Sequence, residues 1–186
     1  MVRVSRLGEE VKTSERCKAL MIHHEGLRLK PYLCPAQIWT VGVGSVLYQE
    51  QINLPVERKN GYMGMIRKEY PLAPEHNRVW TRDEVLELFS RDLAFFERGI
   101  PRYCPKDLTQ SRFDAFVSFS FNAGLGGLQR SPMRMKHNRG DFEGAAEAWL
   151  NYRITGGGKV LPGLIKRRKD ESALYSSQES DSSTQE

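Results

Sequence analysis

The sequence is poor in cysteine and histidine and shows no motif that would use them to hold a metal ion. Its 186 residues include four histidines and three cysteines, Cys17, Cys34 and Cys104. An odd number of cysteines outside any C-x-x-C pattern predicts free thiols in a reducing compartment rather than a disulfide framework. Without paired cysteines or an H-E-x-x-H motif, we expect no metal site and no cofactor.

Long apolar segments are also missing. No run approaches the roughly 18 residues that a membrane-spanning helix needs. The N-terminal stretch "MVRVSRLGEEVKTSERCK" is too polar to be a signal peptide. These features predict a protein without a membrane span, which stays in the cytoplasm of the cell that makes it unless another factor exports it.

Positive charge exceeds negative charge. The formal net charge is +5 and the isoelectric point is about 9.2. A basic surface favours polyanionic partners such as nucleic acid, anionic lipid or an anionic cell wall. The charge by itself does not choose among these partners, and an ordinary soluble surface fits it as well.

Helical periodicity begins at Thr81, where Thr81 and Glu84 form a capping box. The helix behind it has one apolar stripe, and we expect Gly99 and Pro101 to end it. A second helix is capped by Thr109 and ends at Gly124, and its apolar residues predict that it is the buried centre of the protein. Three further helices are predicted, with Ser131 and Asp141 as caps of two and the range 162–175 for the last.

The segment from Ser45 to Trp80 is rich in proline, glycine and charge, which favours hairpins and loops. We therefore predict an α+β domain over residues 1–175. Its N-terminal part, residues 14–80, contains one helix and a β lobe, and residues 81–175 form a helical lobe. Residues 176–186 lack apolar periodicity and are predicted to be a disordered tail.

The first helix provides a candidate acid. Ser14 can cap it, its apolar face extends to His24, and Glu25 follows on the same side before Gly26 ends it. We expect the Glu25 carboxyl to be partly desolvated, which favours its protonated form and suits a general acid. The alternative is a glutamate at a helix end with no chemical role.

A hairpin is predicted next, with a strand at residues 32–34, a turn at 35–37 and a second strand at 38–43. Thr40 shares a face with Ile38 and Gly42, away from the more apolar face. The hairpin would bring Cys34 and Thr40 opposite Glu25. Each residue also has a structural explanation, Cys34 as a small buried side chain and Thr40 as a β-branched strand residue.

Three segments carry a resemblance to a known family. "HEGLRLKPYLCPAQIWTVGVG", "FSFNAGLGGLQRSPMRMKHNRGDFEGAAEAWLNY" and "GGGKVLPGLIKRRKDESALY" follow one another as in the phage lysozymes, the endolysins of T-even and lambdoid-like phages in glycoside hydrolase family twenty-four. The family has Glu, eight residues, Asp or Cys, five residues and Thr, and Glu25, Cys34 and Thr40 match this spacing. The resemblance covers most of the chain from Ser14 to Tyr175.

The resemblance implies a lysozyme-like α+β fold with a cleft between a small β lobe and a helical lobe. It also implies hydrolysis of the β-1,4 bond between N-acetylmuramic acid and N-acetylglucosamine in peptidoglycan. Glu25 would be the general acid, while Cys34 and Thr40 would hold the attacking water. Asn122 and Phe121, in "FNAG", would bind substrate, and Arg167 or Arg168 would pair with Glu25.

As an endolysin, the protein would be a monomer without a nucleic-acid partner. It would depend on a holin to pass from the host cytoplasm to the periplasm and cell wall. A lytic transglycosylase acting on the same bond remains an alternative, because Cys34 stands where many family members have aspartate. A basic nucleic-acid-binding protein is an alternative of another class, suggested by "IKRRKD", although no recognisable module supports it.

Overall fold

The computed structural model describes residues 11–54, 56–58, 65–67, 69–152, 155–156 and 159–177. The helices in these ranges are α1 (Glu15–Glu25), α2 (Gln49–Ile52), α3 (Arg82–Tyr103), α4 (Gln110–Ala123), α5 (Leu125–Gln129), α6 (Pro132–Asn138), α7 (Phe142–Leu150) and α8 (Pro162–Ser176). The strands are β1 (Arg28–Leu33), β2 (Trp39–Gly42), β3 (Ser45–Val46), β4 (Val56–Arg58), β5 (Met65–Arg67), β6 (Thr155–Gly156) and β7 (Lys159–Val160).

Helices form most of this structure, and the strands are short. β1, β2 and β3 make an antiparallel sheet in that order, whereas β4 pairs with β5 and β6 pairs with β7 as separate ribbons. The predicted α+β class is therefore confirmed. Among the described residues, no helix is long and apolar enough to cross a membrane.

The chain divides into two compact units. One, the helical unit, consists of residues 1–24 and 93–186, and the other, the hairpin unit, consists of residues 25–92. α1 was expected beside the β lobe, but its residues up to His24 belong to the helical unit. The proposal of one domain over residues 1–175 stands as a prediction.

The helical unit is built around α4. Five of its apolar side chains are completely buried, namely Phe113, Ala115, Phe116, Val117 and Phe119. α4 packs against α8, and α7 packs against both α6 and α8. The prediction that this helix is the buried centre is confirmed, because its apolar residues cover more than one stripe.

Two buried carboxylates fix the beginning of α1. Glu97 of α3 accepts hydrogen bonds from the backbone nitrogen and the hydroxyl of Thr13, both at 2.8 Å. Asp114 of α4 accepts from the backbone nitrogen of Ser14 at 3.0 Å and from its hydroxyl at 2.5 Å. These partners are distant in the sequence, which explains why α1 groups with the helical unit.

The predicted helix caps are confirmed. The backbone nitrogen of Thr81 donates to Glu84 at 2.7 Å, and the Glu84 nitrogen donates to the Thr81 hydroxyl at 3.2 Å. Thr109, Ser131 and Asp141 each accept a hydrogen bond from a backbone nitrogen of the helix that follows. Side-chain caps satisfy amide groups that have no partner inside the helix.

The predicted end of α3 at Gly99 and Pro101 is wrong. α3 runs through both residues to Tyr103. Ile100 and Cys104 are completely buried, and the Cys104 nitrogen donates to the Ile100 carbonyl at 2.8 Å. Burial of these side chains stabilises a last turn that proline disfavours on local grounds.

The C-terminal boundary differs slightly from the predicted one. Ser176, the first residue of the predicted tail, is the last residue of α8. Residues 178–186 lie outside the described residues, so the disordered tail stays a prediction. Between Ser45 and Trp80 the described residues contain short strands and the single turn of α2, as the composition indicated.

Candidate active site

Glu25 is the last residue of α1, and Gly26 follows it with φ +78°. Only glycine adopts this left-handed conformation without strain, so the helix ends here and the chain turns into β1. The Glu25 side chain is exposed. The expectation of a partly desolvated carboxyl is therefore wrong for the free protein, because a residue at the end of a helix has no following turn to cover it.

Cys34 lies directly after β1 and closes the hairpin turn. Its backbone nitrogen donates to the carbonyl of Ile38 at 3.0 Å, and its carbonyl accepts from the nitrogen of Gln37 at 2.7 Å. Gln37 has φ 58° in this turn. The Cys34 thiol is free and half-buried. The predicted hairpin is confirmed, and it presents a thiol that solvent can reach.

Thr40 lies in β2, the central strand of the three-stranded sheet. It is 3% exposed, and its hydroxyl donates to the carbonyl of Ile38 at 2.9 Å. The expectation that Thr40 lies on a less buried face is wrong, since the neighbouring Val41 is also buried. The bond to Ile38 uses the hydroxyl proton and leaves the oxygen as an acceptor for a further donor.

Tyr32 is a residue of this site that the sequence did not single out. It pairs with Thr40 in the β1–β2 register, and the Arg28 guanidinium lies 4.2 Å from its ring centroid. Burial raises the pKa of Tyr32, and the negative charges of Cys34 and Glu25 raise it further, while Arg28 opposes them. Its partly buried phenol therefore lies on the same hairpin as Cys34 and Thr40. The "GLRLKPYLC" segment contains it, but a tyrosine on a strand gives no chemical signal by itself.

Asn122 and Phe121 occupy the C-terminal turn of α4, in the helical unit. The Asn122 side chain is exposed, and the oxygen of its amide accepts a hydrogen bond from Arg168. The Phe121 ring is half-buried and lies 5.6 Å from the ring of Phe96. Both residues therefore offer part of their side chains to solvent, while Asn122 is held by the buried Arg168 and Phe121 packs beside the half-buried Phe96.

Arg167 and Arg168 are buried around one carboxylate. Glu171, which is completely buried, lies 3.0 Å from Nε of Arg167 and 2.7 Å from a terminal nitrogen of Arg168. Burial raises the pKa of Glu171, and the charges of Arg168 and Arg167 oppose that rise. The arginines were expected to pair with Glu25, which belongs to the hairpin unit, and this pairing stays a prediction. Glu171 was missed, although its spacing from both arginines fits pairs on one helix.

The described residues contain no group of three or more histidine, cysteine or acidic side chains that could hold a metal ion. Glu25 can donate a proton, and Thr40 and Cys34 can accept or share hydrogen bonds with water.

Comparison with known proteins points to one family. The family model for phage lysozyme matches residues 22–171. The chain is 30% identical over 167 residues to the endolysin of Acyrthosiphon pisum secondary endosymbiont phage 1, covering 88% of this chain and 97% of the relative. The SAR-endolysin of Haemophilus phage HP1 is 28% identical, with 89% of this chain and 82% of the relative covered. The endolysin of Bacillus phage B103 is 39% identical over 102 residues, where the match spans 38% of the relative and 55% of this chain.

Solved structures show the same likeness. The muramidase domain of SpmX from Asticaccaulis excentricus has a TM-score of 0.68 and 26% identity, with 90% of this chain and 99% of that chain covered. A mutant of P22 lysozyme has a TM-score of 0.67 and 25% identity, with 89% and 99% covered. The expected lysozyme-like fold is confirmed by these neighbours.

Proposed function

The chain belongs to the phage lysozyme family and is a glycoside hydrolase of the lysozyme class, and we propose that it cleaves the β-1,4 bond between N-acetylmuramic acid and N-acetylglucosamine with Glu25 as the acid. One observation supports the residue assignment most directly. Glu25 ends α1 as an exposed carboxyl, and the β1–β2 hairpin that follows carries Cys34 and Thr40 at the spacing of the family.

Glu25 protonates the glycosidic oxygen as the bond to the anomeric carbon breaks. A general acid of this kind must be protonated when the substrate is bound. The exposed carboxyl of the free protein gains this property when a glycan chain covers it, because removal from water favours the uncharged form. The substrate thus supplies the desolvation that the helix end does not.

Cys34 and Thr40 position the water that attacks the anomeric carbon from the opposite face, which inverts its configuration. The Thr40 oxygen accepts a hydrogen bond from this water, since its own proton is used by the Ile38 carbonyl. A neutral thiol is a poor base, so Cys34 orients the water more than it deprotonates it. As the hydroxyl of the new reducing end forms, the attacking water loses its second proton to bulk solvent, and Glu25 regains a proton from solvent after the product leaves.

Host-cell lysis is the biological role that fits this reaction. The protein acts as a monomer on peptidoglycan, with no nucleic-acid partner, and reaches the wall from the host cytoplasm after a holin has opened the membrane. The net charge of +5 assists its attraction to an anionic wall. Salt weakens this attraction, since exposed charges are screened.

Mass spectrometry of fragments released from purified peptidoglycan tests the reaction. Hydrolysis in water enriched in oxygen-18 places the heavy oxygen at a reducing N-acetylmuramic acid. Anhydro-muramic ends without the label would identify a lytic transglycosylase instead, in which a hydroxyl of the sugar attacks. Absence of any fragment, together with salt-sensitive DNA binding, would favour the nucleic-acid-binding alternative.

A further inference from the structure

We infer that Arg168, held by the buried Glu171, is a positioning residue that fixes the amide of Asn122 with its NH2 group facing the substrate. This inference deepens the proposed function and rests on it. It makes Asn122 a hydrogen-bond donor, whose natural acceptor on a peptidoglycan chain is the carbonyl oxygen of an N-acetyl group.

The position of Arg168 is fixed by three contacts within the helical unit. A terminal nitrogen lies 2.7 Å from Glu171, its guanidinium lies 4.7 Å from the ring centroid of Phe119, and it donates to the oxygen of Asn122. Arg168 is 1% exposed, and the exposed Asn122 is one of its hydrogen-bond partners. A side chain held in this way cannot follow the movements of a surface amide, and the amide must adapt to it.

The chemistry of arginine determines which way the amide faces. A guanidinium has donors and no acceptor, so the atom of Asn122 that faces it must be the oxygen. The nitrogen of the amide, with its two donors, then faces away from Arg168 on an exposed side chain. Without Arg168 the two orientations of the amide would differ little in energy at this surface position.

Glu171 keeps Arg168 in place while remaining well supplied with partners. Its carboxylate also accepts from the hydroxyl of Ser118 at 2.9 Å, from Nε1 of Trp149 at 3.1 Å and from Arg167 at 3.0 Å. Three donors would therefore remain to Glu171 if Arg168 were replaced. This makes Arg168→Met a variant that is expected to fold, although a buried ion pair is lost.

The test compares two glycan substrates, one fully N-acetylated and one chemically de-N-acetylated, through the ratio of their kcat/KM values. We expect the parent protein to prefer the acetylated glycan by at least about tenfold, the factor that corresponds to about 1.4 kcal/mol. Asn122→Asp still offers an oxygen to Arg168 but has no donor for the substrate, so the preference falls to near one, mainly through KM. Arg168→Met frees the amide to rotate, so the preference falls by a factor of two or more.

Arg167→Met is the matched control, because it also removes a buried guanidinium from Glu171 but leaves the contact of Arg168 with Asn122. Thermal unfolding should show a lower Tm in both arginine variants, while the acetyl preference should change only in Arg168→Met. The inference would be overturned if Arg168→Met and Arg167→Met showed the same preference for the acetylated glycan. It would also be overturned if Asn122→Asp kept the preference of the parent protein. A parent protein that releases no glycan fragment would instead reject the proposed function.

Discussion

Tyr32 and Thr40 face each other across β1 and β2, so a phenolic hydroxyl and a buried threonine hydroxyl share the hairpin that carries Cys34. Tyr32 is half-buried on β1, two residues before Cys34, and the Arg28 guanidinium lies 4.2 Å from the centroid of its ring. Its place on the shared hairpin makes Tyr32 a candidate residue of the site, although its residue type gave no indication of it.

Tyr32→Phe should reduce lytic activity by roughly tenfold or less, the factor that corresponds to the loss of one hydrogen bond. Because burial raises the pKa of Tyr32 above its usual value, the hydroxyl stays protonated between pH 5 and pH 9 and cannot titrate there. The loss should therefore be the same factor at every pH in that range. A pH–activity profile with a changed shape would show that Tyr32 acts through ionisation.

Glu25→Gln should lower activity by a factor of about 100 to 10,000, the range that general acid catalysis supplies. The amide has the same shape but no acidic proton, so circular dichroism and Tm should stay close to the parent values. Glu15→Gln, at the other end of α1, is the control. Glu15 is an exposed carboxylate in a surface pair with Lys18, and its loss should have almost no effect. Activity in Glu25→Gln above about one tenth would remove Glu25 from the acid role.

Cys34→Asp should retain activity, because a carboxylate can also orient water. Cys34→Ala should lose about 90% of the activity or more, since a methyl group forms no hydrogen bond. Cys104→Ala provides the comparison, as Cys104 is buried in the helical unit. It should lower Tm through a small cavity and leave specific activity unchanged. An alanine variant at Cys34 as active as the parent would make that cysteine a packing residue and strengthen the transglycosylase alternative.

Thiol labelling of the native protein should modify one cysteine rapidly. Cys34 is half-buried, whereas Cys17 and Cys104 are completely buried. Burial raises the pKa of Cys104 to about 12 and that of Cys17 further, so neither forms the reactive thiolate near neutral pH. Unfolding without reductant should expose three thiols, since all three are free. A single thiol in the unfolded, non-reduced protein would disprove this arrangement.

Stability should fall on acidification because of His137. Burial lowers its pKa from 6.5 to about 4, and its Nδ1 lies 2.8 Å from the hydroxyl of Tyr175. Between these two pH values the unfolded chain binds a proton that the folded chain does not. The free energy of unfolding therefore decreases as pH falls through this window, with a slope approaching one proton, about 1.4 kcal/mol per pH unit. Denaturant unfolding of His137→Gln should show a smaller slope, with the remainder including His24, whose pKa burial also lowers, and the same change at the exposed His23 should keep the slope of the parent protein.

Local signals in the sequence were enough for the helix caps, the hairpin and the end of α1. A capping box, a proline at a helix start and a glycine after Glu25 act within a few residues, so their effect can be predicted without the fold. The end of α3 could not be predicted in this way. Pro101 disfavours the helix locally, but the burial of Ile100 and Cys104, which depends on distant residues, decides the outcome.

Prediction of the candidate site from the sequence was limited in the same way, because burial depends on distant residues. The spacing of Glu25, Cys34 and Thr40, together with the "FNAG" and "GGKVLPGLIKRR" segments that follow in order, indicated the family, because spacing and order are properties of the sequence. Burial is not such a property, so Glu25 was expected to be too buried and Thr40 too exposed. The link from Glu171 through Arg168 to Asn122 joins residues on two helices, and a scan along the chain does not reveal it.

The anchoring of α1 has a consequence for the time at which the enzyme is assembled. The carboxylates that hold Thr13 and Ser14 lie 84 and 100 residues further along the chain. Contacts of such high sequence separation form late, since a long loop must close before they stabilise anything. During synthesis, the helix that ends at Glu25 therefore lacks both partners until Glu97 has left the ribosome, and its anchoring is complete only after Asp114 has followed. A nascent or prematurely terminated chain that stops before this point would lack an anchored acid.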